Sequence, residues 1–299
     1  MTNDRHATAA EVLRSHLVDN VARLHEQGER VRSGEPRAVH RMRVAARRLR
    51  SSLQTCQPLF AVRTDALRDE LRWLGRVLGD ARDAQVLRER LRHLVSIQPP
   101  ELVMGPVAVL VDDELSAAEQ RGRAHALEAL EDTRYLRLLD DLAALVRDLP
   151  LAEEADRPAA EVLPRLVRRD ARRLRRAVRD ARSAPPGQAH DAALHEARKK
   201  AKRLRYAAEL AVPAVGKPAK KLASAAKRVQ QALGEHQDTV VTRRFLREHG
   251  ARMHAEGMNG FTLGRLHAIE EARAMAATRD FERAWTRVPD RTLRKHHAG

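Results

Sequence analysis

Histidine and arginine recur with helical spacing in two separate segments of the chain. The first segment, 38–50, reads AVHRMRVAARRLR, and the second, 193–205, reads ALHEARKKAKRLR. Guanidinium groups engage phosphate oxygens in bidentate fashion, lysine acts as a point charge, and histidine donates a hydrogen bond. These residue types therefore indicate a polyanionic partner, and charge alone does not choose among nucleic acid, anionic lipid and a phosphate polymer.

On a helical wheel, each segment has a basic face beside an apolar face. The apolar residues, which we expect in the core, are Met42, Ala46, Leu49 and Leu53, then Leu194, Ala197, Ala201, Leu204 and Ala208. The first helix, placed from Pro36 to about Gln57, offers the candidate ligands His40, Arg43, Arg47 and Arg50. The second helix offers His195, Arg198, Lys199, Lys202, Arg205 and Tyr206.

The alternative interpretation of such a basic face is a solvated surface that binds nothing. Acidic neighbours, which would neutralise the face by pairing one turn away, are nearly absent from 37–50. Like charges three or four residues apart destabilise a helix by about a few tenths of a kcal/mol per pair. Because the same cost recurs in the second segment, we favour a bound anion that offsets it.

The two segments belong to an internal repeat. A shift of 155 residues makes seven of thirteen positions identical between 38–50 and 193–205. The same shift pairs Pro58 with Pro213, Leu78-Gly79 with Leu233-Gly234, and Asp83 with Asp238. Further along, a shift of 145 places 132–139 on 277–284.

Long segments rich in Ala, Leu, Arg and Glu lie between prolines and glycines, and strand signals are scarce. This pattern predicts about eight helices, four in each half. Together with the repeat, it predicts an all-α fold of two four-helix bundles related by pseudo-two-fold internal symmetry. We place the first bundle in 1–150, the second in 151–290, and a disordered basic tail in 291–299.

Two further elements are strongly basic. A predicted helix over 165–182 carries nine arginines, of which Arg172, Arg176 and Arg179 are candidate ligands. The repeated element 71–83 and 226–238 adds Arg72, Arg76 and Lys227 as candidates. Its glycines, Gly79 and Gly234, indicate close helix approach or access for a ligand, because glycine costs a helix about 1 kcal/mol. We expect Asp83 and Asp238 to orient arginines of a neighbouring helix rather than to perform acid–base chemistry.

The composition agrees with a basic helical protein. The 299 residues include 57 Lys+Arg against 41 Asp+Glu, a net charge of +16, with 43% apolar residues and 3% aromatic residues. The apolar content excludes a disordered polycation, and the aromatic content argues against an all-β fold. The single cysteine, Cys56, excludes a disulfide framework. Neither a signal peptide nor a membrane span is visible, so we expect a cytoplasmic protein without membrane insertion.

These motifs resemble the CHAD family, the conserved histidine α-helical domain. They are HRMRVAARRLR at 40–50, LGDARD at 78–83, HEARKKAKRLRY at 195–206 and LGEHQD at 233–238. The resemblance implies two four-helix bundles, binding of inorganic polyphosphate in a basic groove, and association with polyphosphate granules. It implies no cofactor and no metal. A CYTH-type triphosphatase, which many relatives add, is not visible, so we expect a binding protein rather than an enzyme.

Two other functions remain as alternatives. A nucleic-acid-binding protein is compatible with the charge, although no helix-turn-helix, RNP or zinc-finger signature is present. A metal-dependent phosphohydrolase is suggested only by the 14 histidines, since no HExxH, HxxxH or Cys/His cluster has ligand spacing. The oligomeric state stays open.

Overall fold

The computed structural model describes residues 7–289, apart from the side chains at positions 108 and 110. Nine α-helices form in this part of the chain. They are α1 Ala9–Arg32, α2 Ala38–Thr55, α3 Asp65–Ser96, α4 Val107–Glu131, α5 Thr133–Arg147, α6 Ala159–Ser183, α7 Gln188–Val215, α8 Lys217–Ala255 and α9 Phe261–Trp285. The tail predicted at 291–299 lies outside the described residues.

The all-α prediction is confirmed. Within residues 7–289 no β-strand forms, and the extended backbone is limited to isolated bridges such as Thr8 with Pro158. The prediction of four helices per half is wrong for the first half, which has five. The side chain of Asp132 accepts a hydrogen bond from the Arg134 backbone N–H at 2.7 Å and so starts α5 as a separate helix.

Two prolines that we read as helix breakers lie inside helices. Pro164 is in the second turn of α6 and Pro213 is in the last turn of α7. A proline at either position removes one backbone hydrogen bond to the carbonyl four residues earlier, and both helices continue through that loss. As a result α6 begins at Ala159 rather than at the predicted residue 165.

Buried apolar side chains form two clusters. The larger one joins α1, α2, α5, α6 and α7 with the N-terminal parts of α3 and α8, the C-terminal part of α4 and Phe281 of α9. The smaller one joins the C-terminal parts of α3 and α8 with the N-terminal parts of α4 and α9. Each cluster takes residues from both sides of position 150. The boundary at 150 and the two-fold relation stay predictions.

Helices α2 and α7, which carry the two basic segments, lie against each other. All the apolar residues predicted for their core faces are buried. A buried polar link fixes the C-terminal end of α2 to α7. The Asp170 carboxylate of α6 accepts hydrogen bonds from Thr55 Oγ1 at 2.7 Å and from Arg203 Nε at 3.0 Å. Buried charges of this kind persist only when paired, so the link fixes how α2 and α7 meet.

None of the described helices is long and apolar enough to cross a membrane.

Candidate functional site

The contact between α2 and α7 brings their two basic faces together. Arg43, Arg47 and Arg50 of α2 lie within electrostatic range of Lys202 of α7, and Arg198 lies beside them. We call these five residues the α2/α7 cation cluster. Burial, followed by the repulsion of Arg43, Arg198 and Arg50, lowers the pKa of Arg47, and only the phenol of Tyr206 opposes the effect. Within this cluster, Arg47, Arg50 and Lys202 have no acidic partner among the described residues.

Lys202 experiences this repulsion most strongly. Burial and the neighbouring Arg47, Arg198, Arg43 and Arg50 lower the pKa of its ammonium group from 10.5 to about 7. Desolvation and like charges both disfavour the protonated form, and here they act in the same direction. An anion placed among these side chains would reverse both effects, because it would pair with the charges and replace lost hydration.

One histidine lies beside the cluster on each helix. Burial and the charges of Arg82, Arg47, Arg43 and Arg37 lower the pKa of His40. Burial, Lys199 and Arg198 lower the pKa of His195, while Gln237 partly offsets them. Both imidazoles therefore favour the neutral form in the free protein. A neighbouring polyanion would favour the imidazolium, which donates from both ring nitrogens.

Two glycines make room for the cluster's guanidinium groups. A methyl group added at Gly79 of α3 would lie 3.3 Å from Arg43 Nη2, and one at Gly234 of α8 would lie 3.5 Å from Arg198 Nη2. The expected close approach is thus made by an arginine side chain rather than by a helix backbone. Gly79 thus leaves space on α3 for Arg43 of α2, and Gly234 leaves space on α8 for Arg198 of α7. We call each of these two spaces a glycine slot.

The aspartates one turn further on act on the same arginines. Asp83 accepts a hydrogen bond from Arg43 Nη1 at 2.7 Å, which confirms its predicted orienting role. Asp238 is largely buried, and burial raises the pKa of its carboxyl group although Arg198 and Arg90 oppose that shift. In the first half, therefore, Gly79 and Asp83 of α3 position Arg43 of α2. In the second half, Asp238 lies within electrostatic range of Arg198 without forming an ion pair with it, so its orienting role stays a prediction.

The glycine slots lead to a specific prediction. Gly79→Leu fills the space beside Arg43, displaces its guanidinium and should weaken about tenfold the binding of any polyanion that this group contacts. That loss equals about 1.4 kcal/mol, within the range of one charge-assisted hydrogen bond. Gly75→Leu is the matched control on the same helix, because nothing lies within 4 Å of a methyl group at Gly75. Equal affinities of the two variants, measured by isothermal titration calorimetry, would rule out the slot.

Other candidate residues surround the cluster. Arg72 of α3 lies near Arg50 and lowers its pKa, although burial is the larger cause. Arg205 donates to Glu209 at 2.7 Å and is therefore partly neutralised. Tyr206 is buried, with the guanidinium groups of Arg205 and Arg48 5.5 and 5.6 Å from its ring centroid. The Tyr206 ring therefore contacts these two guanidinium groups inside the protein and is not an exposed surface on which a base could stack.

The remaining candidates are more exposed. Arg172, Arg176 and Arg179 are exposed on α6, and Arg76 and Lys227 are exposed on α3 and α8. Lys199 is exposed, donates to Glu196 at 2.6 Å and lowers the pKa of His195. None of these six residues is among the charges that shift the pKa values of Arg47, Arg50 and Lys202, so their part in the site stays a prediction.

Arg82 was missed by the sequence analysis. It is the first charge, after burial, that lowers the pKa of His40. The repeat contained the signal, because a shift of 155 residues places Arg82 on Gln237, the residue that acts on His195. Extending the alignment from Asp83 and Asp238 by one position would have identified both.

Two further features of the described residues concern possible metal ligands and the thiol of Cys56. Within residues 7–289, no group of three or more His, Cys, Asp or Glu side chains is arranged to hold a metal ion. Cys56 is fully buried, and burial raises the pKa of its thiol to about 12, which makes it inert as a nucleophile.

Known proteins resemble the chain in sequence. Residues 15–247 match the model of the CHAD domain. The uncharacterized proteins MT2285 and Rv2226, from two strains of Mycobacterium tuberculosis, are each 38% identical over 269 residues. The match covers 89% of this chain and 50% of each relative. The chain therefore spans about half the length of the curated relatives it matches.

Solved structures resemble it in fold. PptA from Streptomyces chartreusis superposes with a TM-score of 0.77 at 23% identity, over 94% of this chain and all of that one. The crystal structure of the CHAD domain from the plant Ricinus communis gives a TM-score of 0.72 at 24% identity, over 95% and 93% of the two chains. The family model extends over both halves and includes both basic helices, α2 and α7, and on this evidence the chain belongs to the CHAD domain family.

Proposed function

We propose that the protein binds inorganic polyphosphate, without hydrolysing it, through the α2/α7 cation cluster. The observation that carries the proposal is the convergence of Arg47, Arg198 and Lys202, where burial and then the repulsion of the neighbouring arginines lower the pKa of Lys202 to about 7. A protein keeps such a costly arrangement when a ligand offsets it. The phosphate-binding role expected of the family is consistent with that chemistry.

The ligand's shape favours polyphosphate over nucleic acid. Proteins that bind single-stranded nucleic acids stack bases on exposed aromatic rings, and double-stranded DNA is read by elements that enter a groove. Aromatic residues make up 3% of this chain, and Tyr206, beside the cluster, is buried. A polymer that offers only phosphate oxygens needs the donors present here and no stacking surface.

Binding should depend on pH. Since the bound polyanion favours protonated Lys202, the pKa of Lys202 rises from about 7 in the free protein towards its ordinary value in the complex. The complex then takes up a proton, and affinity increases as pH falls from 9 to 7, by at most about tenfold per pH unit. Calorimetry in buffers of different ionisation enthalpy measures the uptake directly. Lys202→Met should remove this dependence, and a pH-independent affinity in wild type would contradict it.

The functional test is competition at equal phosphate concentration. Labelled long-chain polyphosphate is bound to the protein and then challenged with duplex DNA or unlabelled polyphosphate. We expect unlabelled polyphosphate to displace the label far more efficiently than DNA. Efficient displacement by DNA would instead favour the nucleic-acid alternative. Release of orthophosphate that a chelator abolishes would show the metal-dependent hydrolase.

The cellular part of the proposal is a cytoplasmic protein associated with polyphosphate granules. A fluorescent fusion should co-localise with granules in cells that make polyphosphate and become diffuse in cells that cannot. A fusion that is equally diffuse in both would contradict the granule association.

A further inference from the structure

A cavity of about 740 Å³ lies between the start of α7, the middle of α8 and α9. His195 lines it and belongs also to the basic face of α7, so the cavity adjoins the α2/α7 cation cluster. Arg243, Arg244 and Arg247 line its α8 side. None of these arginines was a candidate from the sequence, and none belongs to the cluster described above.

The internal repeat shows what is unusual about these arginines. A shift of 155 residues places Arg88 and Arg92 of α3 on Arg243 and Arg247 of α8. In the first half both arginines are neutralised by the helix that follows, α4. Arg88 pairs with Glu119 at 2.7 Å, and Arg92 pairs with Asp112.

Helix α9 does not supply the corresponding acids. Helices α4 and α9 both have 25 residues. Counted from the first residue of each helix, Asp112 and Glu119 of α4 correspond to Leu266 and Arg273 of α9. Within residues 7–289, Arg247 makes no ion pair and is exposed. Arg243 reaches only Asp191, at 3.6 Å, against 2.7 Å between Arg88 and Glu119, and the buried Nε atoms of Arg243 and Arg88 both have no hydrogen-bond partner.

Each acidic residue that lines the cavity has a basic neighbour. Asp191 lies 3.3 Å from His236 and 3.6 Å from Arg243, and Glu196 pairs with Lys199 and Lys200. Glu271 lies 3.9 Å from His267, and Arg244 lies 3.9 Å from Glu248, an exposed contact of little energetic weight. With the histidines neutral, the three arginines, Lys199 and Lys200 face the four carboxylates of Asp191, Glu196, Glu271 and Glu248. The positive charge left over lies at Arg247, and an anion with several oxygens would compensate it.

We propose that this cavity binds the phosphate groups of an oligophosphate, with Arg243, Arg244 and Arg247 as the ligands. The anion is either a free short oligophosphate or the end of a long polyphosphate chain, and only the second source rests on the proposed function. A chain end would reach the cavity past His195.

The test uses pyrophosphate as the probe and calorimetry as the readout. Arg47→Gln, Arg198→Gln and Lys202→Gln are first combined, so that binding at the α2/α7 cation cluster does not mask the cavity. Adding Arg244→Gln and Arg247→Gln should weaken pyrophosphate binding at least tenfold. Adding Arg92→Gln, the counterpart of Arg247 in the repeat, should change it by less than twofold. An equal effect of both additions, or no pyrophosphate binding before either, would overturn the proposal.

A second arm identifies the source of the phosphate. Long-chain polyphosphate with both terminal phosphates capped as phosphoramidates is compared with the uncapped polymer on the wild-type protein. If the cavity takes chain ends, capping lowers affinity to that of the Arg244→Gln, Arg247→Gln variant. If it takes free oligophosphate, capping has no effect while pyrophosphate still binds. Because the pyrophosphate arm needs no long polymer, its failure is distinguishable from failure of the proposed function.

Discussion

Replacing Arg47, Arg198 and Lys202 together with glutamine is expected to lower the affinity for long-chain polyphosphate about a thousandfold. A hydrogen bond to a charged group contributes roughly 1.5 to 3 kcal/mol, and three such losses amount to at least about 4 kcal/mol. Glutamine is shorter but stays polar and unbranched, and the buried apolar faces of α2 and α7 are unchanged, so their packing is retained. Calorimetry or fluorescence anisotropy at fixed salt measures the change.

The matched control removes three arginines from an exposed face. Arg172→Gln, Arg176→Gln and Arg179→Gln subtract the same charge from α6, where the three side chains are exposed. We expect this control to lose less than tenfold, through long-range attraction alone. An equal loss in both triple variants would mean that net charge, and not the convergence of α2 and α7, determines binding.

Lys202→Met is expected to stabilise the free protein by about 2 to 4 kcal/mol at pH 7. The pKa of Lys202 is about 7 in the folded protein, against 10.5 for an ordinary lysine. At pH 7 that difference corresponds to a destabilisation of roughly 4 kcal/mol. Methionine retains most of the buried side-chain volume and removes the charge. Residues that bind the polyanion are thus expected to destabilise the free fold.

The sign of the pH dependence separates this explanation from simple repacking. Between pH 7 and 10.5 the unfolded chain holds the Lys202 proton and the folded protein releases it. Wild-type stability therefore rises with pH across this window, relative to Lys202→Met, by about 1.4 kcal/mol per pH unit. Chemical unfolding at pH 7, 8 and 9 should show the two proteins converging.

An exposed lysine provides the control for this experiment. Lys227→Met changes a side chain that is exposed on α8, and we expect little change in stability and no trend with pH. A constant difference between Lys202→Met and wild type from pH 7 to 9 would contradict the assigned cause.

The sequence predicted which side chains share a helix face, but not which faces meet. The 3.6-residue period placed His40, Arg43 and Arg47 together and Met42 in the core, as the structure has them. The period says nothing about contacts 150 residues apart, so the approach of Lys202 to Arg47 was not predictable. The low pKa of Lys202 follows from that approach and from burial, both of which are tertiary effects.

The repeat was a better guide than any single motif. It identified Gly79 and Gly234 as meaningful, although the space they leave belongs to arginine side chains. It also contained Arg82, which we overlooked. Two local patterns led to wrong predictions. Pro164 predicts a helix break but lies within α6, and Asp132 starts a helix that the hydrophobic pattern did not predict. Both depend on how the helix end is packed or capped, which the hydrophobic pattern does not show.

The most direct measurement is the salt dependence of long-chain polyphosphate binding, compared between wild type and the Arg47→Gln, Arg198→Gln, Lys202→Gln variant. Each cationic contact to a phosphate contributes roughly one to the slope of log affinity against log salt concentration. If the α2/α7 cation cluster is the binding site, the variant's slope is shallower by about two to three. If the two slopes coincide, those three side chains do not contact the polymer and the central claim is wrong.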